Sequence, residues 1–321
     1  MKSLRFVVTA AVLGAPGSRV LLTPGSLAPS RTDVTGRHAP HHFHPPCAAA
    51  RPHDLLTVDS RYHDASLNAT SDSRTHTNGH LMMKPAIDEQ LLRFVDNFWG
   101  YGSLSASYWF IGMEEGGGDS WRVVLDQLEA WEGGGAPQMA RFRPPQTQVN
   151  SNRWFGPDAR IQPYWGKIIR VRLAAEGRKC DRDSVRDYQV NQLAAPHGDT
   201  CLLELLPLPS PSTKDWIYGR HSSLSLLKDR PAYLAELVPR RVHALRSLIS
   251  EHRPPYVIFV GLSYAKLWNS VAGTDLPTRP ERPVTCPGSP TRMVISRHPS
   301  SRGVTNEYFE QIGRALTNNA V

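Results

Sequence analysis

The chain has 321 residues, a net charge of +8 and 21% charged residues, which is length enough for two domains, but its composition changes abruptly near residue 80. No segment approaches the ~20 consecutive apolar residues of a membrane span. Cys47, Cys180, Cys201 and Cys286 are far apart and form no C-x-x-C pair, which argues against zinc, an iron–sulfur cluster or a disulfide framework.

Residues 1–81 read as an irregular leader. Residues 1–80 hold 8 of the 13 histidines, no glutamate and none of the 8 tryptophans. Apolar residues there follow no sustained period, as in a disordered polypeptide. Lys2 and Arg5 precede a short apolar stretch that imitates a signal peptide. Its brevity and the scattered cysteines favour a cytoplasmic protein, with export as the alternative. His41, His42 and His44 could hold a metal weakly, but no spacing defines a site, so neither metal nor cofactor is expected.

Residues 82–321 read as one globular domain with a single core. Its net charge of +5, left after the leader's +3, permits a polyanionic partner without requiring one. An amphipathic helix is expected over 88–98, with Leu91, Leu92, Val95 and Phe98 on one face. A strand over 108–111 follows. A helix over 120–131, capped by Asp119, places Trp121, Val124, Leu125, Leu128 and Trp131 at helical spacing before a Gly-Gly-Gly break. Residues 136–160 form a long polar connection, and 164–176 reads as a helix. A second strand over 201–206 runs into a Pro- and Ser-rich turn. A helix over 233–252, a third strand over 256–261, a helix from about 263, a fourth strand over 292–296 and a closing helix over 306–316 complete the order. Strands alternating with helices predict a three-layer α/β/α domain around a short, mainly parallel, four-stranded sheet.

Two strand ends carry the chemistry. After the first strand come Gly112-Met113-Glu114-Glu115-Gly116; after the last come His298-Pro299-Ser300-Ser301-Arg302. Ligands of open α/β sheets bind beyond the carboxyl ends of the strands, so these two stretches are expected to form two walls of one site. The glycines allow a backbone to approach a ligand closely. The spacing fits neither a Walker A loop nor a dinucleotide fingerprint. Glu114 or Glu115 could orient or deprotonate a water, although a glycine-rich turn with solvated glutamates explains the same residues. His298 could stabilise developing negative charge and Ser300 could hold a phosphate; a His-Pro turn followed by serine caps is the plain alternative. Trp154 and Phe155 are candidates for base stacking or, equally, ordinary loop anchors.

Taken in order, these strand ends resemble those of the uracil-DNA glycosylase superfamily. That family has a Gly-x-(Asp/Asn/Ala)-Pro-(Gly/Tyr/Ala) motif after its first sheet strand and a His-Pro-Ser-like motif after its last. Gly112-Met113-Glu114-Glu115-Gly116 is similar to the Gly-Met-Asn-Pro-Gly of the single-strand-selective branch. His298-Pro299-Ser300-Ser301 is similar to its His-Pro-Ser-Pro, and Leu203-Glu204-Leu205-Leu206-Pro207-Leu208 falls where that branch has Asn-x-Cys-Pro-Leu. The resemblance implies a metal-free DNA glycosylase that hydrolyses the N-glycosidic bond of a flipped, damaged base in single- or double-stranded DNA, with no obligatory protein partner. Catalysis would fall to Glu114, Glu115 and His298. Binding would fall to Gly112, Met113, Gly116, Trp154, Phe155, Glu204, Ser300 and Arg302. A catalytically silent nucleic-acid-binding module and a hydrolase of a small nucleoside-like metabolite are the alternatives. Glu114, Glu115 and Glu204 depart from the family's asparagine or aspartate, proline and asparagine. An ionised Glu204 only accepts hydrogen bonds, so plain uracil is expected to be a poor substrate and a base with an exocyclic amino group a better one.

Overall fold

A computed structural model describes residues 77–142, 151–212, 214–278, 283–285 and 288–318. The leader as far as residue 76, with its histidines and signal-like stretch, lies outside the described residues, as does part of the 136–160 connection.

The four expected strands form the centre of the sheet. They are β2 (Tyr108–Glu114), β4 (Thr200–Leu206), β5 (Tyr256–Val260) and β7 (Arg292–Ser296), all parallel and ordered β4-β2-β5-β7. Each is an almost continuous apolar run because both faces are covered: Trp109, Ile111, Leu203, Leu205, Phe259, Val294 and Ile295 are all buried. The sheet is larger than expected. Three short strands extend its edges, β1 (Gly100–Gly102) antiparallel to β4, β3 (Met139–Ala140) parallel to β1, and β6 (Val284–Thr285) antiparallel to β7, giving seven strands in the order β3-β1-β4-β2-β5-β7-β6.

The helices follow the apolar periodicity and their caps. Helix α1 (Thr77–Asn97) begins earlier than the periodicity suggests, and it buries Leu91, Phe94 and Val95 while Leu92 stays half-buried. In α2 (Trp121–Gly133) the cap is Ser120, whose side chain accepts from Val123 N–H, rather than Asp119. A short α3 (Ser151–Phe155) lies in the long connection. Helix α4 (Pro163–Ala175) starts at a proline behind Gln162. Helix α5 (Arg182–Asn191), which the sequence reading passed over, is capped by Asp181. After a one-turn α6 (Tyr218–His221), Asp229 caps α7 (Arg230–His252). Helices α8 (Ala265–Ala272) and α9 (Asn306–Thr317, capped by Thr305) complete the chain.

Helix α4 packs on α9, and α7 packs on α8. The crossover from β2 to β4 and that from β4 to β5 run in opposite directions along the sheet. Right-handed connections therefore place their helices on opposite faces, which makes the three layers. The reversal also leaves a crevice at the carboxyl ends of the strands beside β2, where the site lies. No helix among the described residues is long and apolar enough to cross a membrane.

The α4–α9 contact depends on Gly313. A methyl group there would overlap the Val171 carbonyl oxygen and crowd Ala174 and Ala175. Gly313→Ala is expected to destabilise the domain by about 1–3 kcal/mol, the usual effect of overpacking, despite the better helix propensity of alanine. Urea unfolding checks this, with a lowered midpoint as the expected result.

Candidate functional site

The sheet itself builds the floor of the site. Register pairs Tyr101 of β1 with Leu202 of β4, Leu202 with Phe110 of β2, and Glu204 with Gly112. Alternate residues of a strand share a face, so Tyr101, Phe110, Gly112, Leu202 and Glu204 lie on one side of the sheet. They line a cavity of about 410 Å³ together with Val260 from the end of β5, a volume in the usual range for small-ligand sites. Residues 113–117, Asp119 and Ser210–Ser212 close one side; Tyr164, Trp165 and Phe142 close another; Tyr264, His298 and Ser300 complete the lining.

Most of the residues expected from sequence come together here. Gly112, Met113, Glu114, Glu115, Gly116, Glu204, His298 and Ser300 all line the cavity, whereas Trp154, Phe155 and Arg302 do not. Trp154 and Phe155 pack against Trp165, and Phe155 also against Phe142, so both stand behind the aromatic wall as anchors. Arg302 is exposed, a few residues beyond the rim. Local sequence gave no sign of Tyr101, Gln127, Tyr164, Arg230 or Tyr264. Tyr101 lies on a three-residue strand, and the others sit on or beside helices whose periodicity reports packing rather than chemistry.

The two adjacent glutamates have different partners. Glu114 is paired with Arg230, whose Nη2 lies 2.5 Å from Oε1, while its Oε2 is buried without a hydrogen-bond partner. Burial raises the pKa of Glu114, and the Arg230 hydrogen bond and charge oppose that rise. Among the described residues no cation pairs with Glu115. Its Oε2 accepts from the Tyr101 hydroxyl at 3.0 Å and from Gln127 Nε2 at 3.1 Å. Burial pushes its pKa up to about 7, with these two neutral donors acting in the other direction. One acid is thus held by a positive charge, and its neighbour exchanges a proton near neutrality, a division of environments typical of acid–base sites.

Glu204 lies directly over Gly112. A methyl at 112 would overlap the Glu204 carboxyl, which would have to shift to make room for it. Its Oε2 is shut off from solvent and has no partner. Arg241 is close: Nη2 and Nε donate to the main-chain oxygens of Glu204 and Leu205, each at 2.9 Å, Nη1 is buried without a hydrogen bond, and the guanidinium lies 3.4 Å from the centre of the Trp99 ring. Burial, followed by the charges of Glu115 and Glu114, pushes the pKa of Glu204 well above the carboxylate range. These influences favour the protonated form, in which the group presents an O–H beside a C=O, the same donor and acceptor pair as an amide.

His298 stands at the exposed rim. Its Nδ1 accepts from Ser300 N–H at 3.2 Å, so in the neutral ring the proton sits on Nε2. Desolvation and the charge of Lys167 lower its pKa, favouring that neutral form. Lys167 of α4 fastens the loop, donating to the carbonyl oxygens of Pro299 at 2.6 Å and Val304 at 2.8 Å. Among the described residues no group of His, Cys, Asp or Glu is arranged to hold a metal ion, the three glutamates included. Neither a scan against models of protein families nor a search of curated proteins returns a match for this chain.

The contact between Gly112 and Glu204 can be measured. Gly112→Ala is expected to cost about 1–3 kcal/mol through overpacking. Adding Glu204→Ala should recover part of that loss. A double-mutant cycle with additive effects would show that the two residues do not meet.

Proposed function

We propose that this protein hydrolyses the N-glycosidic bond of a nucleotide base turned out of DNA into the cavity, in the manner implied by its resemblance to the uracil-DNA glycosylase superfamily. The observation that carries this reading is the meeting of three distant strand ends around one cavity: two inequivalent carboxyl groups after β2, a base-sized recess over Gly112 and Glu204, and a neutral imidazole after β7.

In the proposed step the bond from the sugar to the base breaks and its electron pair leaves with the base. The sugar becomes cation-like, and the Arg230-held carboxylate of Glu114 stabilises that charge. A water oxygen bonds to the anomeric carbon and gives a proton to Glu115. His298 donates from Nε2 to the departing base anion. Preorganised partners of this kind act most strongly on charge that develops in the transition state. Extrusion of the base costs a few kcal/mol, offset by contacts with Phe110, Tyr164 and Phe142 in the recess and by the rim. The basic charge of the domain suits the DNA backbone, with Ser300 at the cavity mouth and Arg302 just beyond it.

Base release from single- and double-stranded oligonucleotides carrying a panel of damaged bases tests this directly. Glu114→Gln and His298→Ala should each slow release ~10²–10³-fold with the fold retained. Binding without release from any substrate would favour the silent nucleic-acid-binding alternative.

Activity should also depend on pH. As the proton acceptor, Glu115 must be ionised, so the rate should rise with pH through about 7. Glu115→Gln should lower the rate and remove that limb. A rising limb unchanged in the variant would assign it to another group.

For DNA binding, Arg302→Ala should reduce the slope of log affinity against log salt by about 1, the contribution of one phosphate contact. An unchanged slope would remove Arg302 from the interface.

A further inference from the structure

Resting on the reading above, we propose that Tyr101 and Gln127 are positioning residues: they hold one oxygen of the Glu115 carboxyl and leave the other, Oε1, as the atom that takes the proton from the attacking water. Helix α2 supplies the first observation. Its buried side chains, Val124, Gln127, Leu128 and Trp131, fall on one stripe of the helix, and Gln127 is the polar member of that stripe. Burying an amide is costly unless it finds a partner, and Gln127 Nε2 donates to Glu115 Oε2 at 3.1 Å. Tyr101 approaches the same oxygen from β1, its hydroxyl at 3.0 Å and its ring fixed edge-on against Phe98 and Phe142. The main chain is tied as well, since Ser210 N–H donates to the Glu115 carbonyl oxygen at 3.0 Å.

Both donors meet Oε2, and among the described residues none reaches Oε1. A carboxylate oxygen accepts about two hydrogen bonds, so Oε2 is filled while Oε1 remains for a water. The unbonded Oε2 atoms of Glu114 and Glu204 are shut off from solvent, whereas Glu115 is half-buried and lines the cavity. Proton uptake at Oε1 turns Oε2 into the carbonyl oxygen of the acid, which still accepts from both donors. Uptake at Oε2 would instead set its new O–H against an amide nitrogen, which cannot accept. In the step, an O–H bond of water breaks and its proton bonds to Oε1. The electron pair stays on the oxygen that joins the anomeric carbon, while the glycosidic pair leaves with the base. The charged and titratable groups around Glu115 are Tyr101 from β1, Glu114 beside it with Arg230 of α7, Glu204 from β4 and Tyr218 from α6; Asp119 and His298 share the cavity. Tyr101 and Gln127 favour the ionised carboxylate, against the larger effect of burial.

The test uses the full chain with Gln127→Met and Tyr101→Phe, which keep side-chain size and remove one donor each. Carbon-13 NMR of the glutamate side-chain carboxyls reads the titration of Glu115, identified by the resonance absent from Glu115→Gln. The parent midpoint should lie at about 7. Each variant should raise it by about one pH unit, because each loses a donor that favours the charged form. Base release should slow at least about tenfold with KM near that of the parent, and the rising limb of its pH profile should move to higher pH with the midpoint. In the Glu115→Gln background, Gln127→Met should change the rate no further, since no carboxyl remains to be held; a glutamine that only supports the fold would slow both proteins equally. An unmoved midpoint in both variants, a pH limb that stays in place, or additive losses would overturn the proposal. The two variants alter different elements, so one that fails to fold leaves the other to decide. Raised midpoints without base release from the parent would overturn the glycosidase reading and leave the hold on Glu115 standing. Raised midpoints with an unaltered rate would overturn this proposal alone.

Discussion

The parallel register of β2 against β4 is the constraint on which the site depends. Pairing Gly112 with Glu204 puts a side chain of four heavy atoms beyond Cβ against a residue that has none. A slip of one residue would turn every side chain of β4 to the other face, removing Glu204 from the cavity and inserting Leu203 or Leu205. The register is secured on both sides of β2, because β5 pairs with it from Tyr108 to Ile111 while β4 pairs from Tyr108 onward. Strand pairing thus fixes the pocket floor, and the helices contribute walls.

Glu114, Glu115 and Glu204 crowd one cavity, and among the described residues an ion pair is made to Glu114 but to neither of the others, so the arrangement is costly to fold. Glu115 and Glu204 bind protons more tightly in the folded domain than in the unfolded chain, because burial raises both pKa values. Their contribution to stability is complete below the unfolded carboxylate range and is lost as pH rises through the folded values, about 7 for Glu115. This is the opposite of a carboxylate held by a salt bridge. The rest of the domain compensates through its core: Trp109, Phe259, Trp268 and Phe309 are almost wholly buried. At the other end of β4, Asp199 is satisfied by Arg172 and Tyr188, an ordinary paired acid. The uncompensated acids gather at the carboxyl ends of the strands, where the cavity lies.

The sequence made the central sheet legible because each of its four strands is an apolar run ended by Gly, Pro or Ser. The edge strands were not legible, since two or three residues carry no measurable period. Helix α5 was missed because its polar sequence buries few side chains, Val185, Tyr188 and Gln189 among them. Strand-end logic found Gly112, Glu114, Glu115, Glu204, His298 and Ser300. It did not find Tyr101, Gln127 or Arg230, which reach the glutamates from elements distant in sequence. Nor could it assign charge: the pKa of Glu204 depends on burial and on Glu115, Glu114 and Arg241, which come from other elements. Trp154 and Phe155 were ambiguous in sequence because an aromatic in an irregular stretch can serve a ligand or a wall, and only packing against Trp165 separates the two.

Helix α7 touches the site twice. Arg230 in its first turn holds Glu114 at the end of β2, and Arg241, three turns on, holds the main chain of β4 at Glu204. Between them lies Pro239, which has no N–H to give the Ala235 carbonyl and so interrupts the helix's hydrogen-bond ladder. The two arginines therefore sit on separate segments of one rod joined at a weakened point. Both segments are seated in the core, the leading one through Tyr233 and Leu237 and the trailing one through Leu245 and Ile249. One helix thus braces the ends of two neighbouring strands by different means, a side-chain ion pair at β2 and main-chain hydrogen bonds at β4.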